Sequence, residues 1–244
     1  MTFERVEIAD GKAVLYLGDC LDVLPTLEAG SVDAVITDPP YGFDHYKTDR
    51  AIDPYMITDL MAMSNNKSIA VFGYPENIVE WCVKCCIVPN EWVTWCPKNK
   101  RNGLGKKLPH WSEAIAIFGE LFGIDEMTRD RSPDKWGRSW AIDRGLSDDR
   151  ARLGDIWEDP SPGWAFNYHL RNHPNEKPVK LMARLITLCS DRSASILDPF
   201  MGSGTTGVAC MQLGRRFIGV EIEPRYFSIA VKRITAAAAQ LTMF

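Results

Sequence analysis

Two hydrophobic periods alternate along the chain. Ala13 to Leu17 reads as a short strand, and Cys20 to Leu27 as a short helix stopped near Gly30. Val32 to Thr37 is a compact β-branched run that ends at a Pro-Pro pair, the pattern of a buried parallel strand. Helical spacing follows over Tyr55 to Asn65, a strand over Ile69 to Phe72, a helix over Pro75 to Cys86, and strands over Glu91 to Cys96 and Ala114 to Phe118. From Gly119 to about Asn175 the pattern weakens, with tryptophans, prolines, glycines and charges in no clear period. It returns as a helix from Pro178 to Cys189 with the proline in its first turn, and a strand at Ser195 to Leu197. A helix from Thr205 to Leu213 follows a Gly-rich turn, then a strand from Arg216 to Val220 and a helix from Tyr226 to Ala239. Strands alternating with helices predict a doubly wound α/β sheet. The expected organisation is a single domain over 1–244 with an inserted region at approximately 97–175.

A chain of 244 residues accommodates one such domain and a small insertion, not two enzyme domains. No run approaches the roughly 18 apolar residues of a membrane span. Met1 to Asp10 has no signal-peptide core, so the expectation is a soluble, cytoplasmic protein. The seven cysteines include a C-x2-C spacing at Cys82 and Cys85, but no second ligand pair accompanies it. No metal is expected; the thiols read as reduced and facing the core from a helix. The net charge of −4 argues weakly against a nucleic-acid partner, but what matters is where the charge sits. Lys98, Lys100, Arg101, Lys106 and Lys107 form a run without acids, suited to a phosphate backbone. The later arginines, from Arg129 to Arg152, are diluted by aspartates and fit a solvated face equally well. Most of the tryptophans read as core.

Thr37-Asp38-Pro39-Pro40-Tyr41-Gly42 stands at the end of an apolar strand, where open parallel sheets bind ligands. Pro39 and Pro40 hold a rigid turn. That turn leaves the Pro39 carbonyl free to accept a hydrogen bond, Asp38 adds a charged acceptor, and Tyr41 adds a flat aromatic face. This is the equipment an aryl amine needs to become a nucleophile. Its nitrogen lone pair is delocalised into the ring, and two acceptors gripping its hydrogens favour a pyramidal nitrogen with the lone pair exposed. A tight turn carrying a buried tyrosine is the plainer alternative.

The second motif runs from Ile196 through Asp198, Phe200, Gly202, Ser203, Gly204, Thr205 and Thr206 to Gly207. It is a strand, a Gly-rich turn and a helix start, with glycines that let a ligand approach the backbone. Its glycine spacing also satisfies the dinucleotide fingerprint, and Glu221 ends the next strand where an acid can bind ribose hydroxyls. A nicotinamide oxidoreductase therefore stays open on this motif; a P-loop does not fit, for want of Gly-Lys-Ser/Thr. Chain order narrows the choice. The stretch after Gly207 is too short for a dinucleotide fold, so the sheet must be completed by the N-terminal strands. That places the Asp-Pro-Pro-Tyr strand beside the Gly-loop strand, with amine grip and nucleoside pocket in one crevice.

Together these residues resemble the DNA amino-methyltransferases of the permuted class, in which Asp-Pro-Pro-Tyr precedes the Gly-rich motif. The resemblance covers 14–42 and 170–235 well and the middle loosely. It implies a Rossmann-like S-adenosylmethionine-dependent sheet, circularly permuted in motif order, with a small target-recognition insertion. It further implies that Asp38, Pro39, Pro40 and Tyr41 are catalytic and that the segment at Asp19 and Cys20 contacts the cofactor adenine. Asp38, Lys177 of the His173-to-Pro178 stretch, Asp198, Phe200, Gly202, Ser203, Gly204, Thr205 and Thr206 hold the rest of the cofactor, with Glu221 on the ribose. The family often has threonine where Asn175 stands. The implied substrate is double-stranded DNA with a flipped base. Aspartate at position 38 leans toward adenine N6 over cytosine N4, the nearest alternative. A catalytically dead DNA-binding relative fits less well, because Asp38 to Tyr41 are intact. A homodimer and a cognate restriction endonuclease are partners compatible with such an enzyme.

Overall fold

The computed structural model describes residues 3–28, 30–41, 52–64, 67–96, 113–122, 156–157 and 176–241. Their strands are β1 (Glu4–Ile8), β2 (Ala13–Leu17), β3 (Ala34–Thr37), β4 (Ser68–Gly73), β5 (Glu91–Trp95), β6 (Glu113–Gly119), β7 (Ile156–Trp157), β8 (Ser195–Asp198) and β9 (Arg216–Glu221). They form one sheet in the order β1-β2-β9-β8-β3-β4-β6-β5-β7. The helices are α1 (Cys20–Val23), α2 (Met56–Met63), α3 (Pro75–Cys85), α4 (Val179–Cys189), α5 (Thr205–Gln212) and α6 (Pro224–Leu241).

The middle of the sheet, β2-β9-β8-β3-β4, is parallel throughout. As the chain order requires, β3 lies beside β8, with Ala34 opposite Ile196 and Val35 opposite Leu197. Asp33 fastens the start of this pairing: its Oδ2 accepts from the Ser195 N–H at 2.9 Å. Successive side chains point to opposite faces of a strand, and the two cores follow that rule. Ala34, Ile36, Ala70, Phe72 and Ile196 face α4, α5 and α6; Val35, Ile69, Val71 and Leu197 face α2 and α3. The strands are buried on both sides, which explains why they read as unbroken apolar runs.

The structure departs from the sequence reading in five places. β1 pairs antiparallel with β2 at the sheet edge, and its alternation of charged and apolar residues is that of a strand covered on one side only. β6 runs antiparallel between β4 and β5, a direction that hydrophobic period does not encode. β6 and β7 fall within 97–175 yet belong to the sheet; the rest of the expected insertion lies outside the described residues. Pro178 precedes α4 as its N-cap, with ψ at 136°, and is not in the first turn. α3 buries Ile78 and Trp81, so Cys82 and Cys85 are only half-buried and Cys86 is exposed at a left-handed cap with φ 54°. Among the described residues no group of ligands could hold a metal, and no helix is long and apolar enough to cross a membrane. Of the tryptophans in the middle of the chain, Trp95 and Trp157 are buried, as expected of core residues, and Trp92 is half-buried; the others lie outside the described residues.

Gly204 ends the Gly-rich turn at φ +79°, and a Cβ there would stand 2.9 Å from Ala230 Cβ and 3.0 Å from Ala230 Cα. Gly204→Ala therefore combines left-handed strain with overpacking against α6, about 2–4 kcal/mol in total. Urea unfolding should show a lower midpoint at an unchanged slope; a midpoint equal to that of the parent would contradict this packing.

Candidate active site

The carboxyl ends of the parallel strands bring the two sequence motifs together. Asp38 follows β3, and Asp198 closes β8 beside it. Asp198 is buried and accepts three hydrogen bonds: Thr37 Oγ1 at 3.0 Å and the Phe200 N–H at 3.1 Å on Oδ1, and Thr206 Oγ1 at 2.6 Å on Oδ2. Burial pushes its carboxyl up to about 7, against the pull of these donors. Asp198 thus fixes the shape of the Gly-rich loop and binds it to the strand that carries Asp38.

Asp38 is gripped in turn. Its Oδ2 accepts from the Lys177 ammonium at 2.5 Å, and its Oδ1 from the Tyr41 hydroxyl. Lys177 also lies 2.9 Å from Glu113 Oε2, at the start of β6. The ammonium sits 5.0 Å from the centre of the Phe72 ring and 5.8 Å from that of Trp95, within cation–π range. Burial disfavours its charge, but Asp38 and Glu113 outweigh that and hold Lys177 above the ordinary lysine range. Burial also pushes Asp38 up; Lys177 pulls it down, and Glu113 pushes it up again. Asp38 keeps the most exposure of the three, 19% of its side chain against 7% for Lys177 and 9% for Glu113. It is therefore the most solvent-accessible member of the cluster. The Tyr41 ring meets Tyr74 edge-on at 5.2 Å, and burial keeps the Tyr41 hydroxyl protonated. Pro39 is buried and Pro40 half-buried.

Further along the same sheet edge, Glu221 closes β9 opposite Leu17. Its Oε1 accepts from the Glu223 N–H at 2.8 Å, and burial pushes the carboxyl up while backbone N–H groups oppose the shift. The Gly18 N–H donates to the Glu221 carbonyl at 2.9 Å, which brings Asp19 and Cys20 alongside. Asp19 caps α1 through the Leu21 N–H. Cys20 is buried, and burial lifts its thiol to about 12, so it is unreactive. Arg233 of α6 reaches the Ser203 carbonyl at 2.7 Å, Ser203 Oγ at 2.8 Å and Glu176 at 2.7 Å. It ties the Gly-rich loop to the segment that presents Lys177.

The structure thus brings together Asp38, Tyr41, Lys177, Asp198, the 200–206 loop, Glu221, Asp19 and Cys20 along one edge. Lys98, Lys100, Arg101, Lys106 and Lys107 lie outside the described residues, as do His173 and Asn175. Sequence does not single out Glu113, Tyr74 or Arg233, and gives Thr37 only as the first residue of its motif, without the contact to Asp198. Glu113 offered a signal, a lone acid opening an otherwise apolar run; Arg233 offered none, since one arginine on an amphipathic helix looks like a solvated charge.

Residues 32–232, which hold both motifs, match the N6_N4_Mtase family model, described as DNA methylase. The chain belongs to this DNA methylase family. Among its relatives, the type II methyltransferase M.HpaI of Haemophilus parainfluenzae is 28% identical, over 90% of this chain and 73% of that protein. The DNA adenine methyltransferase YhdJ of Escherichia coli K12 is 26% identical, over 94% and 84% respectively. The fold matches that of the M1.HpyAVI–SAM complex, with a TM-score of 0.58 and 23% identity over 90% of this chain and 98% of the other. It also matches the cytosine-N4-specific PvuII DNA methyltransferase, with a TM-score of 0.61 and 15% identity over 96% and 93%. The α/β sheet is therefore of the Rossmann-like methyltransferase kind, and family membership sets aside the nicotinamide oxidoreductase left open by the glycine spacing.

Lys177→Met tests the buried cluster. Losing one partner of a buried ion pair costs about 3–5 kcal/mol. Without the ammonium, the Asp38 carboxyl rises further above its unfolded value, and the folded state binds more protons than the unfolded one. Stability must then fall as pH rises from the ordinary carboxylate range toward neutrality. Urea unfolding at pH 5 and pH 8 should show the mutant's deficit widening at the higher pH; a deficit independent of pH would contradict the cluster.

Proposed function

We propose that the protein methylates the exocyclic amine of a flipped base in double-stranded DNA, with S-adenosylmethionine as donor and adenine N6 as the target. The observation that carries this reading is the position of Asp38: a carboxylate at the crevice, next to an aromatic hydroxyl, on the strand bonded to the Gly-loop strand. Asp38 and the Pro39 carbonyl accept the two amine hydrogens, and Tyr41 packs on the base. Flipping costs about a few kcal/mol, repaid by stacking and hydrogen bonding in the pocket. The donor would supply an electrophilic methyl to the amine lone pair, its sulfur leaving as a neutral thioether, and the proton lost from nitrogen would pass to solvent. No enzyme nucleophile is needed, in keeping with the buried, unreactive Cys20.

The residues fit the donor. Gly202 and Gly204 adopt φ of 53° and 79°, which turns the loop tightly above β8. A carboxylate has about four acceptor sites, so Glu221 can bind ribose hydroxyls while holding its backbone N–H donors. Leu21 and Ile222, exposed at 65% and 52%, offer apolar surface at the same strand ends for a purine ring. The choice of adenine rests on Asp38 by resemblance and is supported by the relative named as an adenine methyltransferase.

Methylation of random duplex DNA, followed by nucleoside mass spectrometry, should yield N6-methyladenine. N4-methylcytosine would move the target to cytosine, and no modified base would overturn the reading. Asp38→Ala should lower turnover by at least roughly 10²–10³, with cofactor affinity weakened less than in Glu221→Ala. Glu221→Ala should weaken S-adenosylmethionine binding by about 1.5–3 kcal/mol for each charged hydrogen bond lost. Calorimetry separates the two roles: an unchanged dissociation constant in Glu221→Ala removes that residue from the pocket.

A further inference from the structure

The buried cluster pairs one ammonium with two carboxylates, and only Asp38 stands where the proposed amine would bind. Glu113 comes from β6, far from both motifs in sequence, and reaches the site through Lys177. A lone Lys177–Asp38 pair would be neutral, its charges turned inward on each other. With Glu113 also on the ammonium, the three groups carry a net charge of −1 when both carboxylates are ionised. Fixed charge in a site shielded from water acts far more strongly than in bulk. The methyl transfer proposed above makes the substrate nitrogen positive beside Asp38, so an excess negative charge there favours the transition state over the neutral amine.

We propose that Glu113 is a positioning residue for methyl transfer: it takes one side of the Lys177 ammonium, so that Asp38 keeps its strength as an acceptor where positive charge develops. The inference rests on the reading that Asp38 binds the amine. Glu113 does not touch the reacting atoms. It acts through Lys177, whose ammonium is also held over Phe72 and Trp95. Among the described residues, the charged and titratable groups facing Asp38 are Lys177 before α4, Glu113 on β6, Tyr41 on its own turn, Tyr74 after β4 and Asp198 on β8. Of these, Glu113 and Asp198 disfavour its ionisation, while Lys177 and the Tyr41 hydroxyl favour it. A purely structural Glu113 would affect folding and nothing else. An electrostatic one must also set the pH at which Asp38 becomes active.

The test compares Glu113→Gln, which removes the charge at nearly constant shape, with Glu113→Asp, which keeps it. In Glu113→Gln, kcat should fall about tenfold to a hundredfold, less than for a group contacting the reacting atoms. The calorimetric dissociation constant for S-adenosylmethionine should stay within about twofold, since the variant leaves the Gly loop and Glu221 untouched. With Glu113 neutral, Lys177 acts on Asp38 unopposed, so the acid limb of the kcat–pH profile should move to lower pH. Glu113→Asp should keep the limb at its wild-type position, whatever its kcat. An acid limb in one place for wild type and Glu113→Gln, or an undiminished kcat, overturns the inference. If Glu113→Gln is unfolded by circular dichroism, Glu113→Asp decides alone: a displaced limb with the charge retained is the overturning result. Asp38→Ala, run alongside, separates the two layers. Turnover retained in that variant defeats the amine-binding reading itself; turnover lost in it with Glu113→Gln unaffected defeats only the role of Glu113.

Discussion

The site depends on the three-donor hydrogen-bond knot at Asp198. Its carboxylate is buried between β3 and β8 and holds a side chain of one strand, a backbone amide of the loop and a side chain of the following helix at once. A buried acceptor left unmet costs on the order of 1–3 kcal/mol, more if charged, so each donor is held firmly. The loop after β8 and the turn after β3 are thereby set in register. The two chemistries proposed for these turns, cofactor binding and amine binding, share one fixed point. Without it, β3 and β8 would still pair, but nothing would relate the height of the glycine loop to that of Asp38.

A second layer of restraint comes from charge. Arg233 holds the Gly-rich loop and Glu176 together, and the next residue, Lys177, is clasped by Asp38 and Glu113. A chain of polar and ionic contacts thus runs from α6 past the Gly-rich loop to the turn that carries Asp38. Hydrophobic packing positions the strands to within a pleat; these directional contacts set the last ångström, on which transfer between two bound groups depends.

Most of this arrangement was legible in the sequence because it is local. The Asp38-to-Tyr41 turn, the Gly-rich turn and Glu221 each stand at the end of an apolar run, and the strand periods located those ends correctly. The pairing of β3 with β8 followed from counting how little chain remains after Gly207. What stayed hidden is pairwise and distant. Glu113 and Arg233 matter through partners far away in sequence, and nothing in their neighbours announces those partners. The direction of β6 was likewise invisible, since an apolar run buried on both faces reads the same either way along a sheet. β1 escaped because an edge strand bearing charges resembles a loop.

The adjacency of β3 and β8 carries a cost in time. The Thr37–Asp198 contact spans 161 residues of chain. A ribosome adding about 5–20 residues per second leaves β3 without that neighbour for roughly 10–30 s. Through that interval the Ala34-Val35-Ile36-Thr37 edge is an open, apolar template for mispairing. Its early partner is β4, which emerges much sooner and bonds the opposite edge in parallel. The nascent chain therefore has every reason to pass through a half-built sheet of β3, β4, β5 and β6, shielded on one face by α2 and α3, before the C-terminal strands arrive. Chaperone dependence during synthesis, and slow refolding from denaturant, are the biological signatures that a sheet joined so late along its chain should carry.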